Sequence, residues 1–415
     1  VERILVFLFL LLIPTQLGKH FWPEWSKVMG MRVDYLSPTL YFLDILWLLI
    51  FALSKKKGKI FWWIGVLMIF NIWVAEYRWL AIYKWLRVGQ MIWMVGYLRG
   101  KKKWVKEDLG QVLPVWIVFE SLLGLAQMIK GGSLGGWFYW LGERRFSYMT
   151  LGVAQISVMG RGLVRAYGTF SHPNSLAGFM LVAVLWWFKY KEKKVIKLME
   201  FKMGRFVCRF DWGTVWWWMV LWSGVMGIIL AGSRMVWLTA VGLLIINLKW
   251  QVFSKLKWKK LSWGLLLLFG GVFVMAMAGV SLNYVVGDFL GGWDRAGLVK
   301  RAGLNWSAMK MIKDNLWLGT GLGNFLVKLP VYQKNVGYYW LQPVHNVLLL
   351  GLCELGLAGV WIIWRWVKKL NWLKLKIIEK SMMLVVLVTG MMDHYWLTLP
   401  QNNWILVVLL AVLLR

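Results

Sequence analysis

Charge is scarce in this sequence, and acidic charge is scarcer still. Charged residues make up 16% of the 415 positions, with 18 Asp and Glu against 49 Lys and Arg. Soluble domains carry about 25% charged residues, so a water-soluble globular fold is excluded. Cysteine occurs twice, as Cys208 in a basic run and Cys353 in an apolar one. That usage excludes a disulfide framework. No GxxxxGK[ST] occurs, so no nucleotide-driven step is indicated. Asp288 and Asp294 have no His or Glu at metal-site spacing, and no metal site or cofactor is expected. Long internal repeats and low-complexity linkers are also absent, so residues 1–415 read as a single integral membrane domain.

What is present is apolar sequence in long blocks. Hydrophobic residues account for 60% of the chain, as in 262–280 (SWGLLLLFGGVFVMAMAGV) and 400–414 (PQNNWILVVLLAVLL). A helical span needs roughly 20 such residues. Lipid-exposed backbone must be internally hydrogen-bonded, which leaves helices or a closed barrel. Barrel strands alternate apolar and polar residues; these blocks do not. The expectation is an all-α, polytopic transmembrane bundle of about twelve spans, with cores at 3–17, 37–53, 60–75, 80–98, 111–129, 174–188, 213–230, 235–248, 262–280, 345–364, 381–392 and 401–414. The first apolar stretch, Ile4–Ile13, lacks a following small-residue cleavage site and reads as a retained span.

The net charge of +31 invites a nucleic-acid reading. The distribution argues against it. Basic runs at Lys55–Lys59, Arg99–Lys106, Lys189–Arg209, Lys249–Lys260 and Arg365–Lys380 punctuate the spans in the positive-inside manner. Each follows an even-numbered span or precedes an odd-numbered one, which puts both termini in the cytoplasm. The expected partner is a lipid bilayer, with no nucleic acid. Many of the 34 tryptophans flank spans, as interfacial anchors do. Two long loops, 130–173 and 281–344, then fall on the outer side. The first is aromatic enough to lie along the membrane surface. The second is expected to carry a helix at about Val299–Asn315, stopped by Asn315 and the following Gly319, Gly321 and Gly323.

Polar groups expected on that outer side break the positive-inside bias. Arg165 precedes GTFSHPN, where Ser171 is expected to cap the sixth span, with Pro173 in its first turn and His172 in the cap region. Such a helix start suits an anion. Arg234 sits in the tight turn LAGSRMVW at membrane depth, where an ionisable group is costly. Arg295, Lys300 and Arg301 belong to the loop helix beside GTGLGNF. His345 opens the tenth span, where imidazole can accept a proton near neutral pH. Asp393 and His394 could form an Asp–His pair or bind a cation, but adjacent residues on one helix point in different directions, so a structural or substrate-lining role is expected. Arginines suit a diphosphate through their planar fork, and a base would deprotonate an acceptor hydroxyl. This combination fits glycosyl transfer from a lipid diphosphate.

These residues resemble the bacterial O-antigen ligase family and the related O-antigen polymerases. His345–Asn346 is followed by nine residues, Gly356, and three further on Gly359, at the expected end of the second loop. GTFSHPN, GSR and the loop-helix arginine followed by GTGLGNF are similar too, over most of 150–400. The resemblance implies a GT-C-like fold with short helices in the loop before span ten. It also implies an inverting, metal-independent glycosyltransferase of the bacterial cytoplasmic membrane. The donor would be an undecaprenyl-diphosphate-linked glycan and the acceptor a glycan or glycolipid. By resemblance His345 is the base, and Arg234 and Arg301 hold the diphosphate. Arg165 is a further candidate and Arg295 an alternative to Arg301. Asn346, Gly356 and Gly359 are motif residues. A polymerase is the alternative, and a lipid-linked sugar transporter or flippase the alternative of another class. The latter predicts inverted repeats and mid-membrane sites.

Overall fold

A computed structural model describes residues 1–54, 62–158, 161–190, 199–203, 206–210, 212–253, 295–333, 341–368, 370 and 372–414. The chain is mostly helical, 71% helix with little strand, and 15 helices lie among the described residues. In chain order the helices are α1 (Glu2–Leu11), α2 (Phe42–Leu53), α3 (Trp62–Val74), α4 (Arg78–Gly100), α5 (Lys102–Lys130), α6 (Trp137–Trp140), α7 (Pro173–Tyr190), α8 (Trp212–Leu230), α9 (Arg234–Phe253), α10 (Arg295–Asp314), α11 (Phe325–Tyr332), α12 (Val347–Val367), α13 (Ile377–Gly390), α14 (Tyr395–Thr398) and α15 (Pro400–Leu413). Among the described residues three helical stretches are long and apolar enough to cross a membrane: Lys102–Lys130, Trp212–Leu230 and Val347–Arg365. Helices overlap eleven of the twelve expected span positions, the first of them only as far as Leu11, but a twelve-span bundle is not shown; the ninth position, 262–280, lies outside the described residues.

The all-α expectation needs a small amendment. Short antiparallel strand pairs occupy stretches between the helices: Gly18–His20 with Thr39–Tyr41, Lys27–Val28 with Met31–Arg32, Gln155–Val158 with Arg161–Val164, and Met199–Met203 with Phe206–Phe210. Pairing satisfies backbone groups that no helix takes up in these connections. Cys208 lies in the last of these strands.

The chain divides into two compact units. The first comprises Val1–Glu107, Trp293–Leu375 and Val386–Arg415. Here α15 packs on α4, α1 on α2, and α12 on both α3 and α10. Phe9 meets the buried Trp404 edge-on at 5.0 Å. The buried residues Leu304, Ala308 and Met311 of α10 share a core with Phe325, Leu326, Leu350 and Cys353. Helix α3 leaves Trp62, Ile69, Phe70 and Trp73 exposed. A helix apolar all round, with large side chains outward, suits a hydrocarbon surround.

The second unit comprises Asp108–Gly292 and Lys376–Val385. Its centre is α7, buried along nearly its whole length and packed against α8 and α9. Gly224 and Gly227 of α8 lie so near Val184, Ile117, Ser121 and Met180 that a methyl group there would overlap them. Small residues permit this close approach between helices.

Candidate functional site

In the first unit, the His345–Asn346 pair forms the entrance to α12. Asn346 is the N-cap: its side-chain oxygen accepts from the N–H groups of Leu348 and Leu349 at 2.9 and 3.1 Å, satisfying two otherwise orphaned donors. Its amide also donates to the Met391 carbonyl at 3.1 Å. One side chain thereby fixes the helix start and the turn leading to Asp393.

That turn delivers Asp393 to His345. Asp393 Oδ1 lies 3.5 Å from His345 Nδ1. The contact is an ion-pair distance without hydrogen-bond alignment, and His345 Nδ1 is buried and makes no hydrogen bond. Asp393 Oδ1 also accepts from the His394 N–H at 2.8 Å, and His394 Nε2 lies 4.0 Å from the same oxygen. The two imidazole rings are 5.1 Å apart. Asp393 and His394 are both buried. The expected divergence of Asp393 from His394 is therefore corrected. Helix α13 ends at Gly390 and α14 starts at Tyr395, so both residues lie in the intervening turn. Turn geometry aims both side chains at His345.

Gly356 sits within α12 at φ 63°, ψ −169°, and breaks it. The expected continuous tenth span is thus kinked. Beyond the break, the N–H groups of Leu357 and Ala358 donate to the carbonyls of Leu316 and Trp317 instead of to their own helix. A Cβ at Gly356 would lie 2.3 Å from the Trp317 carbonyl oxygen, so both conformation and space require glycine. Gly359 follows on the far side of the break. GTGLGNF closes against the same place. Thr320 donates twice to the Cys353 carbonyl. Asn71 donates to the carbonyls of Leu318 and Glu354 and accepts from Leu322 N–H and Trp85 Nε1. A fully satisfied buried amide of this kind fixes a loop in one geometry.

Arg301 is carried, part-buried, on α10, which the Cys353 thiol joins to α12 by donating to the Ala308 carbonyl at 3.3 Å. Helix α10 begins four residues before the expected Val299 and includes Arg295. Burial lowers the Lys300 amine below its ordinary pKa.

Arg165 and Arg234 belong to the second unit, and there the structure links them. The Arg165 Nε donates to the Ala231 carbonyl at 2.8 Å, and the Ala166 N–H donates to the Leu230 carbonyl at 3.1 Å. Both acceptors are in the tight turn that presents Arg234 as the first residue of α9. The Arg165 Nη2 donates to Asn174 Oδ1 at 2.8 Å. One guanidinium donor and one backbone N–H thus brace the turn, and the second guanidinium donor ties Arg165 to the start of α7. The expected cap is displaced by one residue. The His172 carbonyl accepts from Ser175 and Leu176, and its ring Nδ1 accepts from the Asn174 N–H at 3.2 Å. Pro173 is the first helical residue, which puts His172, not Ser171, at the cap.

Residues that sequence reasoning passed over hold this segment. Glu120 of α5 is buried and accepts the Thr169 N–H and hydroxyl, each at 2.8 Å. One helix face along, Gln127 accepts from Gly168 N–H and donates to the Gly168 carbonyl, both at 2.8 Å. Gly168 has φ 58°, and a Cβ there would meet Glu120 Oε2 at 2.1 Å. Two polar residues seven apart on an apolar helix are the one sequence signal by which they could have been found. Burial raises the nearby Tyr167 phenol above its ordinary pKa, keeping it neutral.

No protein-family model matches the chain, and no curated protein matches it.

Proposed function

We propose that the protein is a membrane glycosyltransferase of O-antigen ligase type. In this reading it moves a glycan from an undecaprenyl-diphosphate carrier to a glycan or glycolipid acceptor at the outer face of the bacterial cytoplasmic membrane. A twelve-span topology with both termini cytoplasmic accompanies it, resting on the distribution of basic runs. The observation that carries the reading is the approach of Asp393 to His345 beneath the N-cap of α12.

A carboxylate beside Nδ1 favours the tautomer with the proton there and leaves the Nε2 lone pair free. Nε2 takes the proton of the acceptor hydroxyl as that oxygen bonds to the anomeric carbon from the face opposite the diphosphate. The anomeric carbon–oxygen bond breaks, its electron pair leaves on undecaprenyl diphosphate, and the configuration inverts. Arg234 and Arg301 are assigned to the charge developing on the leaving group, a role suited to bidentate guanidinium donors. Arg165 holds the Arg234 turn. No step calls on a metal or organic cofactor.

The test is incubation of purified protein with an undecaprenyl-diphosphate oligosaccharide and candidate acceptors, beside His345→Ala. Release of undecaprenyl diphosphate that depends on His345 is the expected result; a single conjugate indicates a ligase and a ladder a polymerase. Absence of release with every acceptor, together with movement of the intact lipid across liposomes, would replace this reading with a transporter.

A further inference from the structure

We propose that His345, Asp393 and His394 form a binding site for a divalent transition-metal ion of zinc type, and that its occupancy silences His345 as a base. The second half rests on the function proposed above; the first does not. One ligand atom from each residue lies within 4.8 Å of the others. Zinc binds nitrogen and oxygen at about 2.0–2.2 Å, which places donor atoms roughly 3–4 Å apart. The separations of 3.5 Å from Asp393 Oδ1 to His345 Nδ1 and 4.0 Å to His394 Nε2 fall in that range before any adjustment.

Two further observations orient the donors. The His345 Nδ1 atom is buried and makes no hydrogen bond, although it faces a carboxylate. The His394 Nδ1 lies 2.8 Å from Thr398 Oγ1, whose own hydroxyl donates to the His394 carbonyl. Thr398 must therefore accept from His394, so the proton is on Nδ1. In the neutral ring Nε2 then turns a lone pair toward Asp393. Locking one imidazole nitrogen so that the other can ligate is the usual outer-shell arrangement of a metal-bound histidine. Two imidazoles and one carboxylate suit zinc, nickel or copper and leave a position for water; magnesium and calcium need more oxygen donors.

The consequence for His345 follows from its tautomers. A base acting through Nε2 needs its proton on Nδ1. A metal on Nδ1 takes that lone pair, and the neutral ring then carries its single proton on Nε2. The proton count is unchanged, but the basic lone pair is gone. The ion is an inhibitor, standing outside the transfer reaction.

The test uses full-length, chelator-treated protein in detergent micelles, titrated with Co²⁺ and then Zn²⁺. Expected are one Co²⁺ per chain with visible ligand-field absorption, its displacement by Zn²⁺, and affinity at least tenfold weaker in Asp393→Asn and in His394→Ala. Thr398→Val should weaken binding by roughly 10–100-fold. His20→Ala, His172→Ala and Cys208→Ser should bind as before. Zn²⁺ should also protect His345 of the unaltered protein from diethyl pyrocarbonate, read by peptide mass, which keeps the proposal testable if a variant fails to fold. Absence of both absorption and protection, or loss of binding only in the His20, His172 or Cys208 variants, overturns the site. Transfer that continues with zinc bound overturns the silencing alone. Metal binding in a protein inactive with every acceptor leaves the site standing and removes the proposed function instead.

Discussion

The two units support their polar residues by different means. Around His345 the support is backbone and cap. Asn346 closes the start of α12, Gly356 breaks that helix, and freed N–H groups of α12 bond to the loop after α10. Around Arg165 and Arg234 the support comes from side chains of a distant helix. Glu120 and Gln127 reach out of α5 to take the N–H groups of residues 167–169. At Gly356 a position is fixed by what the chain omits, a Cβ; at Glu120 and Gln127 it is fixed by what is buried, a carboxylate and an amide. The first kind of support fails by steric clash. The second fails by leaving polar groups unpaired.

Substitutions can break this contrast. The largest loss of stability is expected at Gly356→Val. Its left-handed backbone costs about 1–3 kcal/mol for a residue with a side chain, and overlap with the Trp317 carbonyl adds about as much again. Unfolding of the purified protein in detergent, compared with Gly351→Ala, measures it; Gly351 has open space around it. An equal, small effect at both positions would show that the kink tolerates a side chain.

Glu120→Ala comes next. It leaves the Thr169 N–H and hydroxyl without their acceptor, at about 1–3 kcal/mol for each buried group. Glu120→Gln keeps one acceptor oxygen and should recover part of the loss. Full recovery by an apolar residue such as Glu120→Leu would show that packing, not hydrogen bonding, holds the segment.

Asn346→Ala should cost about 1 kcal/mol through the lost cap. Asn346→Asp restores the cap but not the donor to Met391. If the Met391 bond positions Asp393, Asn346→Asp keeps stability yet lowers transfer activity. Equal activity in the two proteins would separate the motif from the carboxylate.

The same contrast explains what could be read in the sequence. His345, Asn346 and Gly356 occur at a fixed spacing close along the chain, so the motif was legible. Its Asn and Gly proved to be a cap and a helix break, both local properties. Many helix positions were legible from apolar runs, although only three helices among the described residues are long and apolar enough to cross a membrane, and α10 stops near Asn315 as its sequence suggests. Asp393 was not given its role, because adjacency to His394 suggests divergence unless the turn after Gly390 is known. Glu120 and Gln127 were missed because their partners lie some 40 residues later, and nothing local in α5 reports that pairing. The cap at His172 was displaced because serine is the commoner capping residue, whereas here the imidazole nitrogen accepts the bond.

The most direct test of the account is a double-mutant cycle in glycan transfer. Initial rates would be measured for the unaltered protein, His345→Ala, Asp393→Asn and the double variant, each checked for unchanged elution and helicity. General-base catalysis contributes about 10²–10⁴-fold, and groups that act as one unit are strongly non-additive. The account predicts a loss in that range for His345→Ala, a comparable loss for Asp393→Asn, and a double variant no slower than His345→Ala alone. Losses that multiply in the double variant, or an Asp393→Asn protein with full activity, would contradict it.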